Sequence, residues 1–214
     1  MGAAEQINAA YPRAGMPLSR EIVKVAKAVG APPFDLANLI NFESAGTFSP
    51  SVRNKISGAT GLIQFIPSTA RGLGTSTDQL AQMSKVAQMR YVQTYLKRKT
   101  RIGPLNTVQA LFMAVFYPVA MKWPMDKAFS AKVQRSNPGI VTVRDYVGHA
   151  LRRAKLPSST DVGAAPLKAV PFSVAKRIAK APTWAIVTGA VTAALILALL
   201  FRPRKKKTQT NQLR

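Results

Sequence analysis

Residues 183–201 read TWAIVTGAVTAALILALLF, nineteen residues without a charge. As a helix rising 1.5 Å per residue the run would extend about 28 Å, close to the hydrocarbon thickness of a bilayer, about 30 Å. A helix that covers a soluble core keeps one polar face, and here the hydroxyls are only those of Thr183, Thr188 and Thr192. The run therefore reads as a single C-terminal transmembrane helix rather than a buried core helix, with Trp184 at one interface. This divides the chain: the segment expected to build a globular core lies before it, and residues 202–214 read as a basic tail after it.

The flanks set an expected orientation. Lys176, Arg177 and Lys180 precede the run, and Arg202, Arg204, Lys205, Lys206 and Lys207 follow it. The larger basic cluster favours the cytoplasmic side, which leaves the preceding domain on the non-cytoplasmic side. The charge is uneven along the whole chain. Residues 150–214 carry 13 Lys and Arg against one acid, whereas residues 1–149 carry 18 against 7, for a net charge of +23. Such a balance favours polyanionic partners, whether nucleic acid, anionic lipid or an acidic wall polymer. There is no cysteine, which excludes disulfides, thiolate metal sites and a thiol nucleophile. One histidine, His149, cannot hold a zinc ion by itself; it reads as a structural residue at a helix end, and no metal or cofactor is expected.

Upstream of the apolar run, residues 156–182 read as a linker ending in a basic amphipathic piece, FSVAKRIAKAP. The first 18 residues have no apolar run of the signal-peptide kind, and Gln6 stands where myristoylation needs Ser or Thr; they read as a flexible lead-in. Between them, residues 19–155 predict a mainly α domain. Ser19 is placed as a cap, with Ile22, Val25, Ala26 and Val29 on one face and Gly30 as the stop. PPFDLANLINFES gives a second helix opened by Pro33 and closed by Gly46, with Glu43 in its last turn. Residues 47–61 have no period and read as a long loop or a two-strand ribbon. Pro67 opens a brief helix, Asp78 is placed at the start of one long helix reaching Lys99, NTVQALFMAVFYP is apolar all round and so central, and Thr142 caps the last helix.

Glu43 is the residue of chemical interest. A helix C-terminus carries partial negative charge, and neighbours such as Phe42 and Phe48 would remove water from the carboxyl; both effects raise its pKa. A carboxyl kept protonated near neutral pH is what a general acid requires. The competing structural expectation is an ion pair with Arg53 or Lys55. The next acids in sequence, Asp35 and Asp78, lie eight residues back and beyond the loop, so the stretch offers one carboxylate, where ordinary glycosidases use two.

Glu43-Ser44, followed after a loop by Ser57-Gly58-Ala59-Thr60-Gly61-Leu62-Ile63-Gln64-Phe65-Ile66-Pro67-Ser68-Thr69-Ala70, resembles the signature of the soluble lytic transglycosylases of the goose-lysozyme-like superfamily. The resemblance covers about 28 residues directly. It implies a lysozyme-like helical fold for residues 19–155 and cleavage of the β-1,4 bond between N-acetylmuramic acid and N-acetylglucosamine of peptidoglycan. Glu43 would act first as acid and then as base, while the muramoyl C6 hydroxyl attacks in place of water and leaves a 1,6-anhydro end. Ser44, Ser57, Gly58, Gln64 and Ile66 would contact substrate, Gln64 within the saccharide cleft and Ile66 against a sugar; Gly58 and Gly61 would let the backbone turn and approach the glycan. The chain departs from the family in a longer loop between Glu43 and Gln64. It also carries Phe116-Tyr117-Pro118 where a Tyr-Asn-Ala-Gly motif belongs, so Tyr117 stands in for the family tyrosine that steadies glutamate or sugar, or else is a core residue.

Together these readings predict a membrane-anchored, virion-associated, wall-degrading protein of bacteriophage type, held in a viral membrane or the host envelope. Its basic tail would face anionic lipid or nucleic acid. A non-enzymatic membrane protein that binds nucleic acid or lipid is the alternative. A holin-like pore former fits a single spanning run after a 180-residue domain less well.

Overall fold

The computed structural model describes residues 1–159, so the expected transmembrane helix, residues 183–201, the basic tail and most of the linker lie outside the described residues. The described part is mainly helical, as the sequence predicts. Among these residues there is no strand, only isolated bridges between Arg53 and Thr60, Thr60 and Phe65, and Ala128 and Thr142. No helix among them is long and apolar enough to cross a membrane.

Residues 1–18 are not the loose lead-in expected. Ala3–Ala10 form α1, and Ile7, Tyr11, Ala14 and Leu18 are all buried in the core. Their spacing is the helical one, interrupted by a turn at Pro12 before α2, Gly15–Val29, begins. Ser19 therefore lies inside α2 rather than at its cap; it is buried, and its hydroxyl donates to the Gly15 carbonyl at 3.0 Å. The apolar face of Ile22, Val25, Ala26 and Val29 is buried, and Gly30 closes the helix, as expected.

Helix α3, Pro33–Glu43, is the hub. Pro33 occupies its first turn, and every residue from Asp35 to Glu43 is buried, because α1 and α2 pack against it together with α7, Val108–Phe116, and α9, Val143–Leu151. The sequence's apolar α7 is enclosed likewise: all its residues but Gln109 are buried, and each fully buried Leu or Phe there contributes about 1.5–3 kcal/mol. Thr107 caps α7 and Thr142 caps α9, the latter in a capping box with Asp145.

The short α4, Pro67–Gly72, follows the loop as expected. The long helix expected from Asp78 is two helices. Ser76 caps α5, Thr77–Gln82, through a capping box with Gln79, and an extended Met83 separates it from α6, Lys85–Lys99, which Ser84 caps. Apolar spacing runs across the break; the Ser84 hydroxyl, accepting the Ala87 N–H, makes the break. Asp78 sits in the first turn of α5 and is not its cap. A further helix, α8, Ala131–Ser136, was not anticipated and is capped by Ser130.

The domain does not stop at residue 155. The chain after α9 runs back along α3, where Asn41 and Asn38 amides donate to the carbonyls of Arg153 and Leu156, both at 3.1 Å. Ser159 donates to the Asp35 carboxylate at 2.5 Å and accepts the Val108 N–H at 2.9 Å. Residues 156–159 thus belong to the folded unit, a correction to the linker boundary.

Candidate active site

Glu43 ends α3, and its side chain is buried, 1% exposed, in the wedge between α3, α6 and α9. The Tyr146 hydroxyl, from α9, donates to Glu43 Oε1 at 3.4 Å, a long and therefore weak bond. Glu43 Oε2 is buried with no hydrogen-bond partner among the described residues. Burial raises the carboxyl from 4.5 to about 8, against the smaller opposing effect of the Tyr146 bond. Glu43 is thus protonated at neutral pH. The expected ion pair is absent: Arg53 instead meets Asp78 at 2.5 Å and Thr60 at 3.1 Å.

Two tyrosines respond to the carboxyl, Tyr146 through a hydrogen bond and Tyr95 through charge. Tyr146 is pushed well above the ordinary phenol value by burial, then by the Glu43 charge and the hydrogen bond to it. Its ring stacks on Phe116 at 3.9 Å and meets Phe42 edge-on at 6.0 Å, so packing fixes its hydroxyl in place. Tyr95, from α6, is raised by burial and then by the Glu43 charge, and its hydroxyl donates to the Ala114 carbonyl at 2.9 Å. Tyr146 and Tyr95 are the site residues that sequence reasoning missed. Both lie on buried helix faces, and nothing local in the sequence signals that their hydroxyls meet polar partners.

Tyr117, proposed for the steadying role, lies elsewhere. It is half-buried among Phe116, Trp123 and Phe129, the last two at 5.8 Å and edge-on to Tyr117, and the hydroxyl that meets Glu43 belongs to Tyr146. His149 occupies the last turn of α9 against Phe42, as expected for a structural residue. Burial, followed by the positive Arg152 and Arg153, holds it down to about 4.

The second part of the site is the loop from Ser44 to Ile66. Ser44 is fully buried, and its hydroxyl accepts the Phe48 N–H at 3.0 Å, so here it builds the turn that leaves α3. Ser57 accepts the Ala59 N–H at 3.2 Å, while the Asn54 side chain takes the N–H groups of Ile56 and Ser57. Gly58 and Gly61 have φ of +69° and +88°, which meets the expectation that the backbone turns there. Gln64 is nearly buried, and its amide donates to the carbonyls of Val52 and Gly61 at 3.2 and 3.1 Å. Ile66 packs with Ala59 at the start of α4.

All three non-glycine residues with positive φ among the described residues fall in this loop: Ala45 at +51°, Phe48 at +51° and Gln64 at +52°. Such conformations cost on the order of 1–3 kcal/mol each and concentrate where a site must be held in one geometry. The loop reaches, by aromatic contact, a tyrosine that senses the carboxyl. Phe65, between Gln64 and Ile66, packs edge-on against Tyr95 at 6.1 Å, the same Tyr95 that feels the Glu43 charge.

Chemically, the arrangement offers one proton donor in a dry setting with a carboxyl oxygen that has no partner among the described residues, and no second carboxylate is among the groups that shift its pKa. No cluster of metal-ligating side chains occurs among the described residues. Compared with protein-family models, with curated proteins and with solved structures, the chain matches none.

Proposed function

We propose that this protein is a peptidoglycan lytic transglycosylase with a lysozyme-like helical domain. The observation that carries the reading is Glu43: a buried carboxyl at a helix C-terminus, held protonated to about pH 8, with Oε2 unpartnered among the described residues. In the proposed reaction Glu43 gives its proton to the glycosidic oxygen as the bond to the muramoyl anomeric carbon breaks. The ionised carboxylate then takes the proton of the muramoyl C6 hydroxyl as that oxygen bonds to the anomeric carbon. The ring closes as a 1,6-anhydro sugar, no water is consumed, and Glu43 returns to its acid form. One carboxylate suffices, in keeping with a site that has one. Tyr146 orients the carboxyl and offers a hydrogen bond to its ionised form, which lowers the cost of charging it in a dry pocket. The loop bearing Ser57, Gly58, Gln64 and Ile66 would line the glycan, with its motif order as support.

In the same reading residues 183–201 anchor the domain in a virion membrane or host envelope with the enzyme on the non-cytoplasmic side, and residues 202–214 meet anionic lipid or nucleic acid. The wall would be cut during phage infection or release. The test is digestion of purified sacculi followed by mass spectrometry. Anhydromuramoyl ends that disappear in a folded Glu43→Gln variant support the reading. Reducing muramoyl ends would make the protein a hydrolase, and no release by the wild type would favour the non-enzymatic binder.

A further inference from the structure

Gln88 is fully buried in α6, and its side-chain amide bonds to three other segments of the chain. Oε1 accepts the Leu62 N–H at 2.7 Å, while Nε2 donates to the Leu80 carbonyl at 2.9 Å and to the Pro50 carbonyl at 3.1 Å. Leu62 sits in the glycine-containing turn, Pro50 at the head of the loop, and Leu80 in α5. Gly61 makes room for this amide: a Cβ there would lie 2.6 Å from Gln88 Nε2, closer than real Cβ contacts come. A buried amide with both ends satisfied by backbone fixes what it touches, since breaking any one bond leaves a buried polar group unpaired at about 1–3 kcal/mol.

We propose that Gln88 is a positioning residue for glycan binding. It sets the turn at Gly61–Leu62, and the turn sets Gln64, whose own amide is committed to Gly61 and Val52 and whose φ is +52°. The hydrogen bond to Glu43 comes from Tyr146, and Gln88 is not among the groups that shift the Glu43 carboxyl. It therefore acts on substrate placement and leaves proton transfer alone. The inference rests on the transglycosylase reading for the identity of the ligand, and the experiment separates the two.

Binding of a chito-oligosaccharide is measured by calorimetry on the full chain in a Glu43→Gln background, with and without Gln88→Met, which keeps length and loses all three hydrogen bonds. Amide exchange at Leu62 is followed in parallel, and Gln88→Met is also placed in the active chain. The expected results are affinity weakened about tenfold or more and Leu62 protection lost. In the active chain KM rises while kcat and the alkaline midpoint of the pH profile stay within about twofold and a few tenths of a unit. If Gln88→Met does not fold, Gln88→Glu serves. In its acid form it can accept from Leu62 and donate one bond, so glycan affinity should recover as pH falls, which a residue that only adds stability would not produce. Unchanged affinity in a parent that cleaves sacculi overturns the proposal while sparing the function. A shifted pH profile or a loss confined to kcat also overturns it. No glycan binding by the parent removes both.

Discussion

The pocket around Glu43 and the loop from Ser44 to Ile66 are neighbours built on opposite principles. The pocket is helix-made and dry: its carboxyl, Tyr146 and Tyr95 come from three helices, with Tyr146 lying 103 positions after Glu43, and the chemistry is set by burial. The loop is made of backbone turns, with three non-glycine residues at positive φ and a mesh of amide-to-carbonyl bonds made largely within the loop itself. The pocket tunes a proton and the loop holds a shape. Damage to the pocket should thus appear in rate and pH dependence, and damage to the loop in stability and substrate affinity.

The largest expected effect tests the pocket. Glu43→Gln should reduce muropeptide release from sacculi by a factor of about a thousand or more, since a general acid contributes at least about 10²–10⁴. The same variant should be no less stable than the wild type. The Glu43 pKa is raised from 4.5 unfolded to about 8 folded, so the unfolded chain releases its proton first. The stability contribution of this group is full below about pH 4.5 and is lost as pH rises toward 8, at about 1.4 kcal/mol per pH unit within that window. Urea melts at pH 5 and pH 8 should therefore show Glu43→Gln gaining on the wild type with pH. A gap that stays the same between the two pH values would mean the carboxyl is already ionised in the fold.

The loop supplies the next effect. Gly61→Ala places a Cβ on the Gln88 amide at a φ of +88°, and a loss of roughly 2–4 kcal/mol is expected from strain plus an unpaired buried amide, read as a lower denaturation midpoint. If its Glu43 pH profile moved as well, loop and pocket would not be separable. Smaller again is Tyr146→Phe, which removes one long hydrogen bond. Folding stability should fall by about 1 kcal/mol, and the alkaline midpoint of activity should move up, because that bond is what lowers the Glu43 pKa. The smallest effect is expected at Asp78→Asn. Its ion pair with Arg53 is exposed, so thermal stability should change by less than about 1 kcal/mol and glycan cleavage should hold.

The same contrast explains how much could be read from the chain. The loop's geometry depends on residues close in sequence, so Gly58, Gly61 and the start of α4 at Pro67 were legible, as was the placement of Glu43 in the last turn of α3. What fixes the loop from outside, Gln88, was not, because a glutamine on a helix carries no sign that it will be buried. Tyr146 shares the buried face of α9 with Val143, Val147 and Ala150 at helical spacing, and that spacing carries no sign that it will partner a carboxyl a hundred residues away. Tyr117 drew attention through its motif position, and three-dimensional packing gave the hydroxyl contact to Tyr146. The first 18 residues were misread because Ala, Pro and Gly dominate their composition, although Ile7, Tyr11, Ala14 and Leu18 already carry the helical spacing. The break between α5 and α6 was hidden by apolar residues that keep the same period on either side of Ser84.

The central claim is that a lone carboxyl stays protonated at neutral pH because it is dry. Carbon-13 NMR titration of the Glu43 side-chain carboxyl in the folded chain, assigned by its loss in Glu43→Gln, tests it directly. A midpoint near 8 is the predicted result; a carboxyl already ionised at pH 4 would contradict the account.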